Sequence, residues 1–153
     1  MSRKIIFFVL FCLFLASPLY AQSLKMDLHA TYPASNFHTK GAMEFGDLVE
    51  EYTDGEIQIT VHPGGSLGFE GEELLKAVKD ASVPMSDILM GVVSGSEEIF
   101  GLSTYPRIVH SYQDARELYE AALPYYQQAC QRWNQKLLYA APWPPSGLFT
   151  QDP

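Results

Sequence analysis

The stretch LKMDLHATYPASNFHTKGAMEFGDLVEEYTDGEIQITVHPGG, residues 24–65, decides the fold of this protein. From Leu24 to Thr31, apolar Leu24, Met26, Leu28 and Ala30 alternate with Lys25, Asp27, His29 and Thr31. That period of two is the mark of a half-buried strand. Pro33-Ala34-Ser35-Asn36 reads as a loop ending in two good helix caps. Ala42, Phe45, Leu48, Val49 and Tyr52 then recur at spacings of three and four, which predicts an amphipathic helix. Thr53-Asp54-Gly55 stops it with a glycine suited to a left-handed turn. Ile57, Ile59 and Val61 alternate again, and Pro63-Gly64-Gly65 ends this second strand.

The same grammar continues outward toward the C-terminus. Leu74, Leu75 and Val78 predict a helix over roughly Gly71–Ala81, and the largely apolar run Met85–Val93 predicts a third strand. Gly95–Pro106 reads as loop with about one helical turn. Ser111 opens a further helix through Ala115, Leu118, Tyr119 and Ala122, which Pro124 should kink or restart before Tyr126, Ala129 and Trp133. Leu137–Ala141 is expected as a fourth strand, closed by Pro142-Trp143-Pro144-Pro145. Strands alternating with helices predict an α/β fold with a mostly parallel sheet and right-handed crossovers.

Outward toward the N-terminus the chain changes character. Arg3 and Lys4 precede an unbroken apolar run, Ile5–Ala16, and Ser17-Pro18-Leu19-Tyr20-Ala21 ends it with a small residue. This is the plan of a secretory signal peptide, residues 1–21, cleaved after Ala21. As a helix the run spans roughly 18 Å, short of the ~30 Å hydrocarbon core, so no membrane insertion is expected after cleavage. Loss of Arg3 and Lys4 leaves ten more acidic than basic side chains. So acidic a surface argues against nucleic acid and anionic membrane as partners. Cys12 leaves with the signal peptide, and Cys130 alone cannot form an internal disulfide, so burial must supply the stability.

Catalytic motifs are few. Gly64-Gly65-Ser66-Leu67-Gly68 matches the G-x-S-x-G nucleophile elbow, with Asp87 and His110 following in triad order. The elbow must pass from strand to helix within the motif, yet Phe69-Glu70-Gly71 add further loop and Pro63 sits where the strand should feed the turn. A secreted serine hydrolase using Ser66 is therefore the alternative and not the main reading. The glycine-rich loop has neither the lysine nor the spacing of a phosphate cradle. His29, His38, His62 and His110 are scattered without ligand spacing, so neither a metal nor any other cofactor is called for. Glu72 and Glu73 in a first helical turn complement the helix dipole. Binding has more to stand on, since Tyr32, Asn36, Phe37 and His38 follow the first strand and Tyr105 and Trp143 occupy later loops. In open parallel sheets, ligands lie where such loops emerge, at the carboxyl ends of the strands.

Three stretches, in order, resemble the solute-binding proteins of tripartite ATP-independent periplasmic (TRAP) transporters. They are Thr31-Tyr32-Pro33-Ala34-Ser35-Asn36-Phe37-His38, then Phe45-Gly46-Asp47-Leu48-Val49-Glu50-Glu51-Tyr52-Thr53-Asp54-Gly55-Glu56-Ile57, then Val61-His62-Pro63-Gly64-Gly65-Ser66-Leu67-Gly68 with Glu72-Glu73-Leu74-Leu75 behind it. Trp143 and Gly147 complete the pattern. The resemblance implies a type II-like periplasmic binding protein: residues 22–141 as its N-terminal lobe, residues 142–153 as the start of a crossover, and the second lobe absent from this fragment. It implies a periplasmic protein that captures a small organic acid and delivers it to membrane permease subunits. It also implies that the arginine gripping the substrate carboxylate belongs to the second lobe, beyond residue 153. Asn36, His38, Glu70 and Trp143 are the first-lobe contacts it suggests, beside Tyr32 and Tyr105 from the loop argument. An extracytoplasmic ligand-sensing domain is a further alternative.

Overall fold

The computed structural model of the protein describes residues 23–144. The expected signal peptide and Gly147 lie outside them. Strand β1 (Leu24–Ala30) is followed by helix α1 (Phe37–Tyr52), strand β2 (Ile57–His62), the short helix α2 (Glu73–Lys79) and strand β3 (Met85–Asp87). Two 3-10 helices (Met90–Gly95 and Glu98–Thr104) lead to the long helix α3 (Tyr112–Arg132). The described strands form one sheet in the order β2-β1-β3, and both pairings are parallel. The α/β, mostly parallel architecture expected from the alternation is what the chain adopts.

Register follows from the hydrophobic pattern. Leu28 sits opposite Val61 and Met85, and this row, with buried Ala30, packs against Ala42 and Phe45 of α1. A one-residue slip would turn these side chains away from the helix, so the pairing is well specified. Gly46 lets α1 approach the sheet closely, because a Cβ there would stand 3.3 Å from the Ile59 carbonyl oxygen. Thr53 closes the helix with its hydroxyl on Val49 O at 2.7 Å, and Asp54 and Gly55 take positive φ to turn the chain into β2.

A second core lies around α3. Leu75, Val93, Phe100, Ala122, Tyr126, Ala129 and Cys130 are buried together. Full burial of a side chain such as Leu75 or Phe100 contributes ~1.5–3 kcal/mol. Burial pushes the Cys130 thiol up, which suits a packing role.

Three expectations are corrected. The third strand stops at Asp87, and Met90–Gly95 is a 3-10 helix. An apolar run such as Ile88–Val93 fits a buried strand and a buried helical turn equally well, so periodicity could not decide it. Leu137–Ala141 is no strand: residues 135–144 form no regular secondary structure. Leu137 packs on the α3 core and the Tyr139 ring lies 5.3 Å from Phe45, so side-chain packing holds the segment where ladder hydrogen bonds do not. Of the kink or restart expected at Pro124, the restart does not occur, since helix α3 runs through it as one element. Packing on both sides of the proline, by Ala122 and by Tyr126, Ala129 and Cys130, offsets the missing hydrogen bond.

Candidate functional site

The loops leaving β1 and β2 are tied together at the carboxyl end of the sheet. The N–H of Gly65 donates to Ala30 O at 3.1 Å and that of Gly64 to Tyr32 O at 2.8 Å. Gly64, Gly65 and Gly68 have φ of 67°, 68° and 81°, so this turn needs glycine for its backbone path. Thr39, fully buried in the first turns of α1, donates its hydroxyl to Tyr32 O at 2.9 Å. Three elements thus fix the position of Tyr32.

Around Tyr32 stands a group of rings. Trp143 meets Tyr32 edge-on at 5.1 Å and Phe37 edge-on at 5.2 Å, and lies 4.4 Å from the His38 imidazole. Phe37 and His38 are 4.2 Å apart. These are favourable aromatic geometries, and they position Trp143 against the N-terminus of α1 although its own segment has no backbone ladder. Phe37 and Trp143 remain 47% and 40% exposed, so the group is a wall with a free face and not a closed core.

Beside the wall, β3 ends in Asp87, opposite Ala30. Burial raises the Asp87 pKa, and the nearby His38 and His29 pull it back only in part. No hydrogen bond from a protein group supports the carboxylate among the described residues. Burial also raises the Tyr32 and Tyr139 hydroxyls, with Asp87 adding to both. His29 lies in a row with His62 and Ser86 across the strands and is fully buried. Burial first, then His62, lowers its pKa, which keeps the ring neutral. Among the described residues, both His29 ring nitrogens, His38 Nε2 and Ser86 Oγ are buried without a hydrogen-bond partner. Such groups are rare in folded proteins, and here they stand on both faces of the sheet, His29 and Ser86 on the face turned away from α1.

Of the residues singled out from sequence, Tyr32, Phe37, His38 and Trp143 come together. Asn36 borders them, but its side chain caps α1, accepting from the His38 N–H at 2.9 Å. Glu70 is exposed in the loop before α2, and Tyr105, 64% exposed, follows the second 3-10 helix. Sequence reasoning left out Asp87 as a contact. A serine and an aspartate inside an otherwise apolar run, Met85–Val93, were the available signal. Ser66 lies exposed in the turn between β2 and α2, and residues 63–72 separate the two elements, unlike the abrupt passage a nucleophile elbow requires. The backbone N–H of His110 donates to Asp114 Oδ2 at 2.9 Å, at the start of α3.

A parallel α/β lobe with a ring-lined edge can now be set beside known proteins. The family model of the bacterial extracellular solute-binding proteins, family 7, matches residues 29–140. The chain belongs to this family of TRAP solute-binding proteins. One similar solved structure is a marine metagenome TRAP solute-binding protein specific for pyroglutamate, with co-purified pyroglutamate bound. It is 36% identical, with a TM-score of 0.76 over 80% of this chain and 40% of that one. A Bordetella pertussis extracytoplasmic solute receptor that binds pyroglutamic acid is 29% identical, with a TM-score of 0.76 over 79% of this chain and 40% of its own. A second receptor of that organism, 24% identical with a TM-score of 0.77, supports the fold alone, over 80% of this chain and 40% of its own. The chain thus spans 40% of the length of these TRAP proteins. No curated protein matches it. The family and its solved members are substrate-binding proteins and not enzymes. Among the described residues, no helix is long and apolar enough to cross a membrane.

Proposed function

We propose that this protein captures a small carboxylic acid of the size of pyroglutamate in the periplasm and presents it to a TRAP membrane permease. The observation that carries the reading is the half-exposed wall of Tyr32, Phe37, His38 and Trp143 at the carboxyl end of a parallel sheet. Flat rings on a rigid helix terminus offer a compact ring-shaped acid apolar contact at low entropic cost, since little must be ordered on binding. The 36% identity to a pyroglutamate-specific TRAP protein supports a ligand of that class. Export follows from the leader expected over residues 1–21 and from the extracellular character of the family.

The test is isothermal calorimetry on the protein expressed in full from its gene, titrated with pyroglutamate and a panel of dicarboxylates, keto acids and sugar acids. Binding of pyroglutamate in the micromolar range is expected. Trp143→Ala should weaken it about tenfold, the effect of losing one well-packed ring. Absence of binding by every acid in the panel would overturn the reading.

A further inference from the structure

The ring wall explains how an apolar ligand surface is met, but not why an acidic side chain stands beside it in a protein that binds acids. Asp87 ends β3 opposite Ala30, and its backbone oxygen accepts from Thr31 Oγ1 at 3.5 Å. Among the described residues, the basic groups acting on its carboxylate are His38 and His29, with no lysine or arginine. His38 Nε2 is buried without a hydrogen-bond partner among the described residues, as are polar atoms of His29 and Ser86, which by the strand alternation lie on the other face of the sheet from Asp87. Two facts follow from this setting. A ligand carboxylate brought against Asp87 would meet like charge in partly desolvated surroundings, which is costly. A ligand N–H brought there would instead give the carboxylate the charge-assisted hydrogen bond it lacks.

We propose that Asp87 is a specificity-determining residue that accepts a hydrogen bond from an N–H of the bound acid. The ligand then enters this lobe donor end first, with its carboxylate turned away from β3. This deepens the function proposed above and rests on it: the favoured ligands are small acids carrying an amide or lactam N–H, and plain dicarboxylates are disfavoured. The selectivity follows from the difference between a satisfied and an unsatisfied carboxylate, the kind of contrast that polar sites discriminate best.

The experiment compares pyroglutamate with its lactone analogue, in which a ring oxygen replaces the N–H, on the full gene product by calorimetry. The native protein should bind the lactam at least ~10-fold more tightly. In Asp87→Leu that ratio should fall to about one, with lactone affinity kept or improved. Asp87→Asn, which keeps an acceptor without the charge, should give an intermediate ratio and serves if the leucine variant does not fold. A ratio near one in the native protein, a ratio unchanged in the variants, or a native preference for dicarboxylates overturns the assignment while leaving acid capture intact. Failure of the native protein to bind any of these acids overturns the proposed function itself, and this assignment with it.

Discussion

Glu97 and Asp87 are both acidic residues set against apolar surroundings, and the chain treats them in opposite ways. Glu97, at the α3 core, accepts from Arg132 Nε at 3.0 Å and from Trp133 Nε1 at 3.0 Å, and forms an ion pair with Arg132 Nη2. Those hydrogen bonds, the Arg132 one foremost, hold its carboxyl below the usual range. Gln135 completes that region by donating to Leu75 O at 2.6 Å. Asp87 has no such support among the described residues; burial raises its carboxyl, and nearby His29, His38 and Ser86 hold polar atoms without partners there. One region satisfies its polar groups internally and the other does not. Closed networks of the first kind rigidify a core, whereas open ones cost stability and are kept where a partner is to be met.

The largest effect that should follow from this contrast is on the closed side. Phe100 is 3% exposed beside Tyr126, and Phe100→Ala should cost ~3–5 kcal/mol in urea unfolding. A loss under ~1 kcal/mol would mean that the α3 region is loosely packed and that the contrast is overdrawn. Next, Glu97→Ala should cost about 1–2 kcal/mol, chiefly because Trp133 Nε1 loses its acceptor, since the Arg132 partner is half-exposed and contributes little.

On the open side the sign reverses. The folded pKa of Asp87 stands above its unfolded value, so its ionised form subtracts stability as the pH rises from the ordinary carboxylate range through that raised value. Asp87→Asn should therefore raise the thermal midpoint by a few degrees at neutral pH and lose that advantage as the pH falls below the ordinary range. The titratable groups facing it, His29, His38, Tyr32 and Tyr139, remain in place in the variant. A melting curve that drops at neutral pH would show that the Asp87 charge is stabilising, and the two acids would not differ. The smallest effect is expected at Ser66, exposed in a turn it does not help to close. Ser66→Ala should change stability by less than ~0.5 kcal/mol and leave any turnover of activated esters at the same background level. Turnover that vanished with the hydroxyl would revive the hydrolase alternative.

What could be read from sequence follows the strength of local patterning. The β1–α1–β2 unit was legible because Leu24–Ala30 and Ile57–Val61 alternate while Ala42–Tyr52 recurs at helical spacing, and each pattern admits one period. The end of β3 was not, because a run of apolar residues has no period to read. The missing ladder at Leu137–Ala141 was invisible for another reason: a strand is a pairing, and sequence alone does not state whether a neighbour offers its backbone. The site divides in the same way. Tyr32, His38 and Trp143 could be placed at the sheet edge by loop position and family resemblance. Asn36 invited a binding role because the chemistry that caps a helix is the chemistry that contacts a ligand. Asp87 stood out only as a triad position of the hydrolase alternative, since its isolation is a property of the folded neighbourhood.

Gly46 gives the wall a mechanical dimension. Its missing side chain lets α1 rest on the Ile59 backbone, while Phe37 and His38 ride at the far end of the same helix, roughly 13 Å away at 1.5 Å per residue. The helix is a lever with its fulcrum at Gly46. A methyl group inserted there would lift the arm only slightly at the pivot, but the tilt would be amplified at its tip. The aim of the rings thus depends on a residue that touches none of them, together with the Thr39 tie to Tyr32 nearer the tip.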